Sequence, residues 1–167
     1  EGDKGQGAKA LACEQCPMGT YQAAPGQTDC DHCAAGQHTT SKGLSVCADC
    51  VKGQYTSTAG APACANCPAG FFTATDGESV CAACGAGEYS SASPVTECVV
   101  CPVGRFNEVE GETECLQCEP GEYHAGTMQT ACTPCAAGWF DGDAESTVCE
   151  QCVACLFAQT EGLSVCV

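Results

Sequence analysis

Cys13-Glu14-Gln15-Cys16-Pro17-Met18-Gly19-Thr20-Tyr21, running on to Thr28-Asp29-Cys30-Asp31-His32-Cys33, is the stretch that decides the fold. Its first cysteine recurs at 30, 47, 64, 81, 98, 115, 132, 149 and 166. Its second recurs at 33, 50, 67, 84, 101, 118, 135 and 152. Every step is 17 residues, with no insertion or deletion. A fixed period through the whole chain marks a tandem array, in which no unit stands without its neighbours.

Other positions keep the same phase. Glycine stands three residues after the second cysteine at 19, 36, 53, 70, 87, 104, 121 and 138. Two residues later comes a ring: Tyr21, Tyr55, Phe72, Tyr89, Phe106, Tyr123, Phe140 and Phe157, with His38 in the same column. A looser glycine follows at 26, 43, 60, 77, 111 and 162, and Ser or Thr stands two before most first cysteines. Glycine after C-P-x predicts a turn with positive φ. The ring segment reads as a short strand, the second glycine as the reversal, and [ST]-x-C as the returning strand. Phe71 and Trp139, the two remaining aromatic residues, directly precede the ring position. The column is read as a shared core in which each ring covers its own disulfide and touches the next ring, rather than as a sugar-stacking platform.

Composition agrees with an array that lacks an ordinary core. Twenty of 167 residues are Cys, above the roughly 8–10% that marks a disulfide scaffold. Leu, Ile, Val and Phe together make only 22 of 167 residues, below the roughly 20% under which chains tend to disorder. Cross-links or metal must replace the missing apolar area. The net charge of −16 has the wrong sign for binding phosphates, which excludes nucleic acid as a partner. No apolar run approaches the roughly 18 residues of a membrane span. With no charged-then-apolar leader at residue 1, the expectation is a mature chain or a fragment.

The segments Cys16-Pro17-Met18-Gly19-Thr20-Tyr21 and Cys67-Pro68-Ala69-Gly70-Phe71-Phe72 resemble the cysteine-rich repeats of the ephrin-type-receptor-like family. The same opening is similar to the first loop of tumour-necrosis-factor-receptor cysteine-rich domains and, more loosely, to protist surface proteins rich in C-x-x-C. The resemblance covers 13–167 and implies an extracellular rod laddered by disulfides. It also implies that the second cysteine of one pair joins the first of the next. Such a bond closes a 15-residue loop, worth about 3 kcal/mol on the chain-entropy model. The expected ladder is Cys16–Cys30, Cys33–Cys47, Cys50–Cys64, Cys67–Cys81, Cys84–Cys98, Cys101–Cys115, Cys118–Cys132, Cys135–Cys149 and Cys152–Cys166. Crosswise pairing, such as Cys13–Cys30 with Cys16–Cys33, makes a 34-residue unit, and no alternation of that length is present.

Zinc is the chemical rival, because C-x-x-C with 13 intervening residues is close to ribbon spacing. Nine pairs, however, do not group in twos. A thiol count on the denatured, metal-free chain separates the two readings. Asp141-Gly142-Asp143-Ala144-Glu145 lacks the remainder of a calcium loop and reads as a solvated turn. His32, His38 and His124 stand in three different contexts, and no cysteine–histidine nucleophile is legible. No catalytic residue and no cofactor is expected, and no N-x-[ST] sequon is present.

The expected fold is thus a small disulfide-rich protein, a linear array of nine 17-residue hairpin-like repeats in an elongated rod, with contacts only between neighbours. Residues 1–12 read as a partial repeat or linker with a possible helical turn, 13–152 as the array, and 153–167 as a divergent last repeat. The expected function is an extracellular structural protein at a cell surface: a filament, coat or stalk that self-associates. Its motivation is monotony, since a ligand site usually requires one unit to differ. The alternative is the ectodomain of a receptor or adhesin that binds other surface proteins or glycans. In the ladder register Cys13 and Cys155 are left over, and the sharper hypothesis joins them between subunits as a covalent fibre.

Overall fold

In the computed structural model, which describes residues 14–153, 156 and 158–167, every repeat begins with one turn. Thr20 N donates to Pro17 O at 3.1 Å, and Gly19 between them has φ +82°. The bond recurs in phase down to Leu156 N to Val153 O at 3.1 Å. Its acceptor is proline only at 17, 68 and 102, so the turn does not depend on proline.

The turn delivers the ring residue onto a two-residue strand. β1 (Thr20–Tyr21) pairs antiparallel with β2 (Asp31–His32), Thr20 opposite His32 and Tyr21 opposite Asp31. The same hairpin recurs as β3 (Gln37–His38) with β4 (Ala48–Asp49), and β5 (Gln54–Tyr55) with β6 (Ala65–Asn66). It continues as β7 (Phe71–Phe72) with β8 (Ala82–Ala83), and β9 (Glu88–Tyr89) with β10 (Val99–Val100). Three more follow: β11 (Arg105–Phe106) with β12 (Leu116–Gln117), β13 (Glu122–Tyr123) with β14 (Thr133–Pro134), and β15 (Trp139–Phe140) with β16 (Glu150–Gln151). The ninth loop, 152–166, carries no strand among the described residues.

The returning strand is therefore not [ST]-x-C, as the sequence pattern suggested, but the two residues inside each C-x-x-C. The reason is a competing bond. Gln22 N, just past β1, donates to Leu44 O of the next unit at 3.1 Å, and Asp141 N likewise to Leu163 O. That carbonyl immediately precedes the [ST]-x-C segment, which is thereby committed to its neighbour.

Among the described residues nine disulfides close the loops: Cys16–Cys30, Cys33–Cys47, Cys50–Cys64, Cys67–Cys81, Cys84–Cys98, Cys101–Cys115, Cys118–Cys132, Cys135–Cys149 and Cys152–Cys166. Cys13, Cys155 and Phe157, with residues 1–12, lie outside the described residues. The second cysteines from Cys33 to Cys135 are fully buried, and they form the core that large side chains would fill elsewhere.

Units are stitched in both directions. Gly19 N donates forward to Thr39 O at 3.1 Å, while Gly43 N donates back to Cys16 O at 2.8 Å. The expectation of contact between nearest neighbours alone is overturned by the glycines. A Cβ added at Gly19 would stand 2.0 Å from Gly60 O, two units on. Gly36 meets Gly77 O, Gly70 meets Gly111 O and Gly121 meets Gly162 O in the same way. The hydrogen in that direction points at a carbonyl, a close Cα–H···O approach that only glycine permits. No hydrogen bond among the described residues reaches beyond the second unit, so the array is linear.

Candidate functional site

The side chains with chemistry to offer lie along the ring column. Tyr21, Tyr55, Phe72, Tyr89, Phe106, Tyr123 and Phe140 all end the first strand of their hairpin and are half-buried. Several rings also reach a cysteine of the next unit. Tyr55 shares a groove wall with Cys81, Tyr123 with Cys149 and Phe140 with Cys166. The forward backbone bonds join each of these units to the next.

Three of these grooves are one groove repeated. Tyr55, Pro68, Phe71 and Val80 line the first, with a volume of about 220 Å³. Tyr123, Ala136, Trp139 and Val148 line the second, about 370 Å³, four periods later. Phe140, Val153, Leu156 and Val165 line the third, about 210 Å³, one period beyond. The walls are the residue before the ring and the residue before the first cysteine. Between Phe72 and Cys98 those walls are Glu88 and Glu97, and the cleft is polar. Phe71 and Trp139 are thus groove walls, and the array is not monotonous.

A further in-phase column was legible but not read. The residue after the ring is buried at Thr39, Thr56, Thr73, Ser90, Asn107 and Asp141. Thr39 Oγ1 accepts from Gly19 N at 2.7 Å, and Thr73 Oγ1 from Gly53 N at 2.7 Å. Asn107 Nδ2 donates to Glu88 O at 2.8 Å. These small polar side chains bond back to the preceding unit. The signal was Thr39, Thr56 and Thr73 at an exact 17-residue spacing.

The acidic run does not gather into a cation site. Asp141 Oδ1 accepts from Asp143 N at 3.2 Å, and the buried Oδ2 has no partner. Glu145 is taken by Arg105 and Gln117, bonds that tie sequence-distant units. The one cluster of metal-ligating atoms among the described residues is His38, Cys50 and Cys64. His38 Nδ1 stands 3.2 Å from Cys64 Sγ. His32 lies against Gly60, and His124 Nδ1 accepts from Gly126 N at 3.2 Å.

The family profile described as tyrosine-protein kinase ephrin type A/B receptor-like matches residues 5–45, 40–84 and 87–130, well over half of the chain. The chain belongs to this ephrin-receptor-like family. No curated protein matches it. The ephrin-receptor-like repeats and the disulfide density suggest an extracellular or secreted location, because cross-links at this density form in oxidising compartments. Among the described residues no helix is long and apolar enough to cross a membrane.

Proposed function

We propose that this chain is a structural rod of an extracellular surface, serving as filament, coat or stalk and performing no catalysis. The carrying observation is the approach of Gly19 to Gly60 O and of its counterparts to the second unit on. A joint held only to its nearest neighbour bends at every junction. One that also touches the second neighbour resists bending, because tilting a single unit breaks contacts on both sides. Stiffness and length are what such an array provides. Electron microscopy of native material tests the reading. Straight particles within ordered polymers or a layer support it, and isolated, flexibly bent particles overturn it.

The apolar grooves favour a second reading, the ectodomain of a receptor or adhesin. In three units alone both wall positions are apolar: Phe71 with Val80, Trp139 with Val148 and Leu156 with Val165. On a chain of net charge −16, the fitting occupant is a basic protein segment bearing an aliphatic or aromatic side chain. Trp139 is the one tryptophan and lines the largest of the three. A shift in its emission with Lys-rich apolar peptides, and none with acidic analogues, supports this reading. A shift with oligosaccharides alone replaces the protein partner by a glycan.

A further inference from the structure

Charge is unevenly placed along the array. All five Lys and Arg lie at or before Arg105, whereas 11 of the 21 Asp and Glu lie after it. Arg105 itself is paired with Glu145. From Phe106 onward no Lys or Arg offsets the carboxylates. Two of the three apolar grooves fall in this acidic part, and they are neighbours. Strand β15 serves both: Trp139 lines the first with Val148, and Phe140 lines the second with Leu156 and Val165. Successive residues of a strand point to opposite sides, so the grooves flank one two-residue strand. Trp139, Val148, Leu156 and Val165 are all exposed. Glu150, opposite Phe140 in the hairpin, lines the second groove and is exposed too. One unit before the first groove, Glu119 and Glu122 hold the phases of Ala136 and Trp139. Carboxylates thus stand ahead of the first groove and within the second. The groove at Tyr55 has no such company. Gln54 and Ala63 hold the wall phases one unit before it, and Lys52 lines the cleft that follows at Phe72.

We propose that the two grooves flanking β15 form one docking site for a basic, extended segment of a protein partner. The segment seats two bulky apolar side chains and sets Lys or Arg against the neighbouring carboxylates. This rests on the receptor or adhesin reading and narrows it to one part of the rod. The grooves follow one another along a linear array, so a segment that fills both runs along it in extended form. A second copy of this chain is the wrong occupant, since its own charge of −16 is repelled. Burial of the two anchors supplies the affinity, and the carboxylates supply the choice of partner.

The test uses synthetic Lys-rich peptides that carry one Leu or two, the latter as a series differing only in the spacing between the Leu residues. Trp139, the one tryptophan, reports from the first groove. The best two-Leu peptide is expected to shift its emission at about tenfold lower concentration than the one-Leu peptide, because a second aliphatic side chain is buried. Changing the second groove alone, by Leu156→Gln with Val165→Ala, is expected to remove that advantage. The array already accepts Gln and Ala at these phases, as Gln37 and Gln54 and as Ala63 and Ala131. Val80→Ala, in the groove at Tyr55, is expected to change nothing. A two-Leu peptide no tighter than the one-Leu peptide overturns the paired site and leaves single-groove binding standing. An advantage that survives in the double variant does the same. No shift with any basic peptide overturns the protein-partner reading itself. Emission that changes with protein concentration alone overturns the proposal in favour of a second copy.

Discussion

Gly19 and Gly26 both have positive φ, but they do different work. Around Gly26 a Cβ meets nothing within 4 Å, whereas at Gly70 it falls 2.0 Å from Gly111 O. Gly26→Ala is therefore expected to cost the left-handed penalty of about 1–2 kcal/mol. Gly70→Ala is expected to cost distinctly more and to loosen two units, since the backbone of one must withdraw from the other. Hydrogen exchange checks this: accelerated exchange at Gly111–Glu112 in the second variant, and none beyond the turn in the first. Asp141 offers the opposite opportunity. Its Oδ2 is buried without a partner, at the phase where Asn107 Nδ2 donates to a carbonyl. Asp141→Asn is expected to stabilise by about 1 kcal/mol by supplying a donor to the in-phase carbonyl of Glu122. Urea unfolding monitored at Trp139 reads the change, and a lower midpoint would contradict the assignment. Met128 has φ 59° at the second-glycine phase and is half exposed. Met128→Gly is expected to raise stability by about 0.5–1 kcal/mol, because it relieves that backbone and removes little buried area.

Each hairpin contributes two paired residues per strand, far too little to persist alone. It persists because its turn glycine and its buried polar residue bond to adjacent units, and because the disulfide limits the unfolded loop. Replacing Cys84 and Cys98 together by Ala is expected to cost about 3 kcal/mol, from a loop of this size. The loss should stay local, as in a one-dimensional array. Exchange should quicken in the altered loop and in the two loops on either side of it, and remain unchanged at Cys33–Cys47. Uniform loosening of the whole chain would show that the elements cooperate over a longer range than the contacts do.

Along the whole rod, −16 charges repel and keep neighbouring molecules apart. The isoelectric point lies near 4.1. Lowering the pH towards it protonates carboxylates and removes the net negative charge, so lateral association should rise as pH falls from 8 to 4. Divalent cations should act in the same direction at neutral pH by screening. Light scattering measures both, and equal turbidity at the two pH values would remove charge as the spacer between rods.

Cysteine at a constant 17-residue spacing determined the array, the loop size, the turn after each second cysteine and the ring column, because each is a local consequence of a position repeated in phase. The return strand was misplaced for the opposite reason. A two-residue strand has no hydrophobic alternation to read, and the competing bond from Gln22 to Leu44 comes from another unit. The contact of Gly19 with Gly60, the groove shared by Tyr123 and Trp139, and the imidazole of His38 over Cys64 likewise lie outside any single repeat. The repeat fixes what one unit is. How far each unit is displaced on the next is set by the forward and backward backbone bonds, and only the tertiary structure decided which rings meet a cysteine of the next unit.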